Sequence, residues 1–540
     1  MKTKLGNTWF SKFMALCLAV VMMLSMSMTV FAVTNSDKGG FTITGFDTDP
    51  APTVTAYQII TVNIDDDSEQ PAYPMYTWAS NVATWMTQNE YDKYIDSTLG
   101  QNAVADAFGD ADAADVSTFL EKMTAAIKAG KITGLVSEDV TAANGSASFT
   151  DMDMGEYLIT AKGGVKIYQP TTVKLVPEYN EGTKKWGIGE AVIGTETDGI
   201  VKSVTPDIPE KEASTGDGDK TVAIGDVVTY TLTVTVPSYP ADATYTKFEV
   251  SDKLGAGFTF NDGTIKVYSN ETLNDEIDAT NYTITEPSGE KTFLIAFNKE
   301  FTTTYSGTTV YITYEATVNN KAFTENALGN DAFLGYDNDP YQDSDYETPG
   351  THEDVYTYGI QVKKVGSKNT VLPGAQFKLS LENETLKFTE TDVDGVYNYD
   401  PTSSSDVLEV SAQGVLKLQG LDEGTYTLEE TKAPNGYVLP TGTISIVIAD
   451  EVNGEADGSI DAVNVTKTEG TVVFQNPDLI DGTKTDNIVS LEIVNTSSEN
   501  AGFDLPVTGG MGTMLFTIAG ILLMGGAVAL VVVAVRKRRA

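Results

Sequence analysis

Short runs of alternating apolar and polar residues fill most of this 540-residue chain, and they limit what it can fold into. The stretches "TVAIGDVVTYTLTVTVPS" and "TGTISIVIADEVNG" are typical, being rich in Thr, Val and Ile and interrupted by Gly, Asp, Asn or Pro. Because a period of two places alternate side chains on one face of a strand, each run predicts a half-buried β-strand. Many such short strands predict a mainly β protein of tandem β-sandwich domains.

Residues 75–130 depart from the β pattern, because their apolar residues recur at helical spacing. The residues concerned are Trp78, Val82 and Trp85, followed by Val116, Phe119, Leu120, Met123 and Ile127. Gly130 follows the second group and is a typical helix stop. We therefore predict a helical insertion in the first β domain, with these side chains in its core.

The N-terminus has the features of a secretion signal. Three lysines precede an apolar run over residues 13–29, and Val30-Phe31-Ala32 is a small-residue cleavage site. We therefore expect residues 1–32 to be a signal peptide that is cut after Ala32.

A second apolar run, residues 511–535, holds 25 residues without a charge, which is long enough for a transmembrane helix. The basic residues 536–539 follow at once and predict a cytoplasmic end. The chain is thus expected to be secreted and to contact the membrane only through this C-terminal helix.

The segment between these ends is strongly acidic. It contains all 76 Asp and Glu residues and 28 of the 35 Lys and Arg residues, giving a net charge of 28 − 76 = −48. Such a charge argues against binding to nucleic acid or anionic lipid. The only cysteine, Cys17, lies in the signal peptide, so the exported segment has no disulfide bonds. We expect no cofactor and no bound metal.

The stretch "VYTYGIQVKKVGSKN", residues 355–369, places a lysine where an apolar residue is expected. Tyr358, Ile360 and Val362 alternate as the buried face of a strand, and the same parity puts Lys364 on that face. An unpaired ammonium is costly to bury. Either Lys364 pairs with a carboxylate or extends to the strand end, or it does not remain a free lysine.

Two later stretches supply possible partners for Lys364. In "GTYTLEETKAPNGY" the carboxylate of Glu430 shares the face of Tyr426 and Leu428, and in "IVSLEIVNTS" Asn495 shares the face of Ile493. The last β module therefore offers a lysine, an acid and an asparagine to one interior.

The middle module offers a similar set, with Lys202 in "GIVKSV" and Asp252 in "TKFEVSDKL". Its asparagine lies in "NALGNDAFLGYDNDP", where Asn326, Asn330 and Asn338 share one parity. The corresponding stretches of the first module, "FTITGFD" and "GEYLITAKGG", have neither the lysine nor the acid on that face. The joint loss of both groups favours a shared role over separate buried ion pairs.

A lysine, an acid and an asparagine can form an isopeptide bond. Desolvation lowers the pKa of a buried lysine and yields a nucleophilic amine, while it raises the pKa of a carboxyl, which can then hydrogen-bond to the asparagine carbonyl as an acid. The amine attacks the amide carbon, ammonia leaves, and packing supplies the proximity that the reaction needs.

The chain resembles the backbone subunits of sortase-assembled pili of Gram-positive bacteria, the SpaA-type major pilins. "YTLEETKAPNGY" is similar to the E-box of that family, and "LPVTGG" matches its sorting signal. The resemblance implies that a membrane sortase reads Leu505, Pro506, Val507, Thr508 and Gly509, cuts between Thr508 and Gly509, and transfers Thr508 to an amine. That amine belongs to peptidoglycan precursor in wall anchoring and to a lysine of another pilin subunit in polymerisation.

The resemblance also implies the fold and the site residues. The modules would have immunoglobulin-like folds, CnaA-type at residues 197–350 and CnaB-type at 351–500, after an N-terminal β domain at 33–196. The bonded pairs would be Lys364 with Asn495, assisted by Glu430, and Lys202 with Asn330, assisted by Asp252. Asn330 is preferred because "NDAFLGY" resembles the family's asparagine followed by alternating apolar residues, but Asn326 and Asn338 remain alternatives.

The expected function is therefore that of a structural pilus subunit, anchored to the wall and not an enzyme. One departure favours an alternative, a monomeric wall-anchored adhesin. Backbone pilins usually carry a lysine in a Trp…Val…Tyr-Pro-Lys motif, and counting from Trp186 puts Thr195 at that position.

The sequence also bears on two further classes of function, hydrolases and calcium-binding proteins. His352 is the only histidine, so a Ser-His-Asp or Cys-His hydrolase is nearly excluded, whereas counting does not exclude a carboxylate-pair glycosidase. The acidic runs "NIDDDSE", "GDADAAD" and "YDNDPYQDSDYE" do not fit the EF-hand loop, and solvated loops explain them better than calcium sites.

Overall fold

The computed structural model describes residues 33–193, 203–216, 220–240, 242–323, 328–450, 456–480 and 486–499. The signal peptide with Ala32, the lysine Lys202, the sorting signal at 505–509 and the apolar run at 511–535 lie outside the described residues. None of the helices in these described ranges is both long enough and apolar enough to span a membrane.

The first part of the chain forms a β-sandwich with a helical layer, here called the first sandwich. Its elements are β1 (Gly39–Thr44), β2 (Thr53–Asp65), β3 (Gln70–Trp78), α1 (Ser80–Gln88), a 3₁₀ turn (Asp92–Tyr94), β4 (Ile95–Asp96), β5 (Ala103–Val104), α2 (Asp106–Gly109), α3 (Ala113–Lys128), β6 (Ser137–Thr141), β7 (Ser146–Met152), β8 (Gly155–Lys162), β9 (Ile167–Tyr168), β10 (Thr171–Leu175), β11 (Pro177–Asn180), β12 (Lys185–Ile188) and β13 (Val192–Ile193). Its main sheet has the order β13-β10-β8-β2-β3-β5-β4, with β6 also paired to β2.

Strand β8 is buried on both faces, which explains its nearly continuous run of apolar residues. Tyr157 and Ile159 pack against the β1–β7 pair, whereas Leu158 packs against the helical layer. The predicted helical insertion is confirmed by α1 and α3, with Phe119 at the centre of the layer. Trp78 ends β3 instead of belonging to a helix, but its indole is buried among the same side chains.

The next part begins with a two-residue strand that pairs with the first sandwich, and it continues as the middle sandwich. Its elements are β14 (Ser203–Val204), β15 (Glu210–Ser214), β16 (Val227–Thr235), β17 (Phe248–Leu254), β18 (Phe258–Phe260), β19 (Lys266–Tyr268), a 3₁₀ turn (Ala279–Asn281), β20 (Tyr282–Thr285), β21 (Phe293–Phe297), α4 (Lys299–Thr304), β22 (Thr309–Val318), β23 (Gly329–Tyr336), β24 (Tyr346–Glu347) and β25 (Thr351–Asp354). One sheet has the order β15-β16-β22-β18 with β19 on β22, and the other has the order β20-β21-β17-β23-β24 with β25 on β23. Strand β22 shows the predicted alternation, since every second residue from Val310 to Val318 is buried between the sheets.

The last sandwich contains two six-stranded sheets. Its elements are β26 (Tyr358–Gly366), β27 (Gln376–Leu381), β28 (Glu384–Thr385), β29 (Phe388–Glu390), β30 (Val396–Tyr399), β31 (Leu408–Glu409), β32 (Val415–Leu421), β33 (Gly424–Lys432), β34 (Ile444–Ile448), β35 (Asn464–Lys467), β36 (Val473–Ile480) and β37 (Ile488–Asn495). The sheet orders are β29-β30-β32-β26-β37-β36 and β28-β27-β33-β34-β35, with β31 on β27. The first strand, β26, pairs in parallel with the last strand, β37, so that Gly366 lies opposite Asn495.

Consecutive sandwiches are joined by hydrogen bonds. Strand β14 pairs with β9 of the first sandwich, and the Tyr336 hydroxyl donates to the carbonyl of Val165 at 2.5 Å. Between the middle and last sandwiches, the Ile224 N–H donates to the Gly420 carbonyl at 3.1 Å. Gly420 has a φ of +79°, and a Cβ there would lie 2.2 Å from the Ile224 side chain, so this junction requires a glycine. The predicted fold class, tandem β-sandwiches with a helical insertion in the first, is confirmed.

Removing the Phe119 side chain tests the helical layer. We expect Phe119→Ala to lower the free energy of unfolding of the first sandwich by about 3–5 kcal/mol, because it empties a fully buried site. Denaturant unfolding of the exported segment followed by tryptophan fluorescence measures this change. Val136→Ala is the matched control, since Val136 is 63% exposed and should shift the transition little. Equal stability of the two variants would contradict the packing described here.

Candidate functional sites in two buried lysine clusters

The first cluster lies in the core of the last sandwich and joins both of its sheets. Lys364 on β26 and Asn495 on β37 come from one sheet, and Glu430 on β33 comes from the other. The Lys364 Nζ lies 2.5 Å from the Asn495 Oδ1 and 3.4 Å from the Glu430 Oε2. The Asn495 Nδ2 donates to the Glu430 Oε1 at 2.6 Å. The structure thus brings together the three residues that the sequence analysis selected for this module.

Burial shifts both ionisable groups of this cluster towards their neutral forms. The Lys364 side chain is 0% exposed, and desolvation lowers its pKa to about 8 although the Glu430 carboxylate opposes this change. Desolvation also raises the pKa of Glu430, against the opposing effect of Lys364. A neutral amine beside a carboxylic acid is the state that nucleophilic attack on an amide requires.

The contacts of Glu430 differ in one respect from the expectation that the acid touches the asparagine carbonyl. The Lys364 amine occupies the carbonyl end of the amide, and Glu430 contacts the nitrogen end. The two oxygens of Glu430 therefore lie near the amine nitrogen of Lys364 and the amide nitrogen of Asn495. In this arrangement one carboxyl can give a proton to the departing nitrogen and take one from the attacking nitrogen.

The second cluster lies in the core of the middle sandwich. The Lys211 Nζ on β15 lies 2.6 Å from the Asp252 Oδ2 on β17, and both side chains are 0% exposed. The Tyr314 hydroxyl on β22 donates to the same Asp252 oxygen at 2.5 Å and accepts from the Asn330 Nδ2 on β23 at 2.8 Å. The cluster again draws on both sheets, with Lys211 and Tyr314 from one and Asp252 and Asn330 from the other.

The lysine of the second cluster is not the one selected from the sequence. Lys202 lies outside the described residues, and Ser203–Val204, which follow it, pair with β9 of the first sandwich instead of starting the middle sandwich. Lys211 was missed because β15, with the sequence EKEAS, has no apolar alternation. Its only available signal is that exposed Glu210 and Glu212 flank Lys211 and so place it on the opposite face.

Desolvation dominates the electrostatics of the second cluster as well. It lowers the pKa of Lys211, which Asp252 partly offsets, and it raises the pKa of Asp252, which Lys211 partly offsets. Among the described residues, the Asp252 Oδ1 and the Asn330 Oδ1 are buried without a hydrogen-bond partner. Buried polar atoms without partners are rare in folded proteins, and a catalytic role is one explanation for them.

Of the two alternatives to Asn330, only Asn338 is described, and it lies outside the cluster. Asn326 lies outside the described residues, and the Asn338 Nδ2 donates to the carbonyl of Gly164 in the first sandwich. Asn330 is completely buried at the site.

The first sandwich has no matching cluster. Among the described residues, Lys211 and Lys364 are the only buried lysines. The first sandwich does contain a buried acid that the sequence analysis missed, Glu156, whose pKa is raised by desolvation. Its cationic neighbour Lys174 is half exposed, and the Lys174 Nζ lies 3.9 Å from the Glu156 Oε2. The described ranges also hold no group of three His, Cys, Asp or Glu side chains placed to bind a metal ion.

Three domain families match the chain in the order of its parts. The C2 terminal domain of cell surface antigen I/II matches residues 209–346, the SpaA prealbumin-like fold domain matches 358–464, and the LPXTG cell wall anchor motif matches 497–540. The trypsin-resistant surface T6 protein of Streptococcus pyogenes serotype M6 is 26% identical in an alignment that covers 97% of this chain and 100% of that protein. Fimbrial subunit type 1 of Actinomyces viscosus is also 26% identical, in an alignment that covers 76% of this chain and 79% of that protein.

A solved structure has the same three-part architecture. The T6 backbone pilin of serotype M6 Streptococcus pyogenes superposes with a TM-score of 0.55 at 21% identity, covering 86% of this chain and all of the pilin chain. The chain therefore has the fold of a backbone pilin. The expected family resemblance and the expected cell wall anchor are both confirmed, so the chain is a wall-anchored surface protein.

Glutamine at position 430 tests the role of the acid. We expect Glu430→Gln to prevent loss of ammonia from the last sandwich, because an amide can neither give nor take the required proton. Glu429→Gln is the matched control, since the neighbouring Glu429 is exposed on the other face of β33. Tryptic mapping of a joined Lys364–Asn495 peptide measures the outcome. A joined peptide in Glu430→Gln at the wild-type yield would contradict the assignment.

Proposed function

We propose that this chain is a structural subunit of a sortase-assembled surface pilus, stabilised by two internal isopeptide bonds. The alignment with the T6 protein over almost the whole of both chains carries the assignment to pili, since it includes all three sandwiches and the anchor. Its role is structural, and the chain acts as its own catalyst for one turnover per bond. The sandwiches correspond to domains at about 33–196, 197–350 and 351–500, each with its own apolar core.

The two proposed bonds join Lys364 to Asn495 and Lys211 to Asn330. Lys211 replaces Lys202 in this proposal because it is the lysine that contacts Asp252. In each case the neutral amine attacks the side-chain amide carbon, and the amide nitrogen leaves as ammonia. Glu430 and Asp252 supply the proton that the departing nitrogen needs and take one from the attacking nitrogen. The bond in the last sandwich links its first strand to its last strand, which are parallel neighbours in one sheet.

The proposed anchoring reaction uses residues 505–509. A sortase cuts between Thr508 and Gly509 and passes the Thr508 carbonyl to peptidoglycan precursor or to a lysine of a second subunit. The LPXTG match over residues 497–540 supports this proposal. Thr195 stands at the position in the sequence that the polymerising lysine of backbone pilins usually occupies.

Intact mass tests the internal bonds. We expect the exported segment to be about 34 Da lighter than its sequence mass, because each bond releases one ammonia of about 17 Da. Lys211→Ala and Lys364→Ala should each restore one ammonia after correction for the substitution. Lys202→Ala and Lys363→Ala are the matched controls and should keep both deficits, since Lys363 faces solvent beside Glu492. If the wild-type segment has the full mass of its sequence, no bond has formed and both clusters are only buried ion pairs.

Wall fractionation tests anchoring and polymerisation. We expect Leu505→Ala to leave the protein in the membrane fraction, because the substitution removes the side chain that leads the sorting signal. Asp504→Ala, just outside the signal, should still reach the wall. In muramidase extracts of the native bacterium, a ladder of covalent multimers supports the pilus subunit, and peptide mapping of the ladder identifies the joining lysine. A single band of monomer mass would favour the monomeric adhesin instead.

A further inference from the structure

The two clusters solve the same proton-transfer problem with carboxylic acids of different length. In the last sandwich, Glu430 reaches the amide nitrogen of Asn495 directly, at 2.6 Å. In the middle sandwich the acid is Asp252, which is one methylene shorter. Within the described residues, the Asn330 Nδ2 is hydrogen-bonded to the Tyr314 hydroxyl and not to Asp252. The tyrosine oxygen thus fills the gap between the acid and the leaving group.

We propose that Tyr314 is a catalytic residue of the middle sandwich that relays a proton from Asp252 to the leaving nitrogen of Asn330. This inference rests on the proposed Lys211–Asn330 bond. Its basis is a continuous chain of contacts, from Lys211 Nζ to Asp252 Oδ2 at 2.6 Å, to the Tyr314 hydroxyl at 2.5 Å, and to Asn330 Nδ2 at 2.8 Å. A hydroxyl both donates and accepts hydrogen bonds, so it can pass a proton along this chain.

The reaction begins with a neutral amine and a protonated Asp252. The Lys211 nitrogen forms a bond to the Asn330 amide carbon, and the carbonyl electron pair moves to Oδ1. The amide nitrogen, which donates a hydrogen bond while the amide is planar, gains a basic lone pair in this tetrahedral state. The Tyr314 hydroxyl, which donates to Asp252 before the reaction, turns so that it accepts from the protonated Asp252 and donates to Nδ2. The nitrogen then takes the proton of Tyr314, and Tyr314 takes the proton of Asp252.

The second half of the reaction restores the catalytic groups. Asp252 takes one proton from the newly bonded Lys211 nitrogen. The Oδ1 electron pair re-forms the carbonyl, the bond between carbon and Nδ2 breaks, and ammonia leaves. The net reaction converts one amine and one primary amide into one secondary amide and one ammonia. Asp252 and Tyr314 end in the protonation states in which they began, and no outside reactant is needed.

The surroundings of Tyr314 fix its hydroxyl in place. The side chain is completely buried, its ring stacks on Tyr230 at 5.3 Å between centroids, and Phe293 packs edge-on at 4.8 Å. Burial raises the pKa of Tyr314 far above its ordinary value, so the hydroxyl keeps its proton until a partner accepts it.

The test follows bond formation with time in the full chain. Wild type, Tyr314→Phe and Asn330→Ala are expressed from their own signal sequence in a Gram-positive host without sortase, pulse-labelled, and extracted from the membrane with detergent. Tryptic mapping gives the fraction of joined Lys211–Asn330 peptide at each chase time. The joined Lys364–Asn495 peptide in the same molecules is the internal control, because that cluster uses no tyrosine.

We expect Tyr314→Phe to form the Lys211–Asn330 bond at least about 100-fold more slowly than wild type, the lower end of the usual effect of general acid–base catalysis. The Lys364–Asn495 bond should form at the wild-type rate. Equal rates of Lys211–Asn330 bond formation in Tyr314→Phe and wild type would overturn the relay. Absence of this bond from wild type would instead refute the proposed bond itself, so the two failures are distinguishable.

A second measurement separates proton relay from simple orientation of Asn330. Protease digestion controls for misfolding of Tyr314→Phe, with Asn330→Ala as the reference for a chain that lacks the bond. Site-specific 3-fluorotyrosine at position 314 keeps the ring and the hydroxyl but makes the hydroxyl more acidic. A relay predicts a changed rate of Lys211–Asn330 bond formation. An unchanged rate would show that the hydroxyl only positions Asn330 and would overturn the relay.

Discussion

The chemistry proposed for this chain depends on one constraint, the removal of a lysine amine from water. An ammonium ion in an apolar core is unfavourable, and the core lowers that cost by favouring the neutral amine. Both clusters meet this condition because each lies between two sheets whose inward residues are apolar, so Lys211 and Lys364 have no route to solvent. The proposed bonds would therefore form only after the sandwiches have packed, because an unfolded chain does not hold the reacting groups close together.

The β fold, the helical insertion and the last cluster could be predicted from the sequence because each depends on local periodicity. Lys364 follows three apolar residues of the same parity, and Glu430 and Asn495 lie in strands that are equally regular. Parity then determines which face each side chain occupies. Residues that are far apart in the sequence can still meet, since every inward residue of a small sandwich reaches the same core.

The middle cluster could be predicted only in part, because two of its members depend on pairing between strands. Strand β15 lacks apolar neighbours, so its place in the sheet comes from its backbone bonds to β16 and not from its own side chains. The sequence near Lys202 has a better apolar pattern, yet its described end pairs with the first sandwich. Tyr314 could be predicted as a core residue, but its hydrogen bonds link strands of opposite sheets, and no local pattern specifies them.

The parallel pairing of β26 with β37 determines how this sandwich would respond to being pulled from its ends. If Lys364 is joined to Asn495, a pulling force applied at Tyr358 is carried along seven residues of β26 to Lys364. It then passes through the bond to Asn495, at the end of β37, and so leaves the sandwich. The two joined residues are 131 positions apart in the chain. At roughly 3.4 Å per extended residue, this bond would withhold about 450 Å of slack from the stretched chain. The last sandwich would then behave under load as a nearly inextensible link, whatever the stability of its other strands.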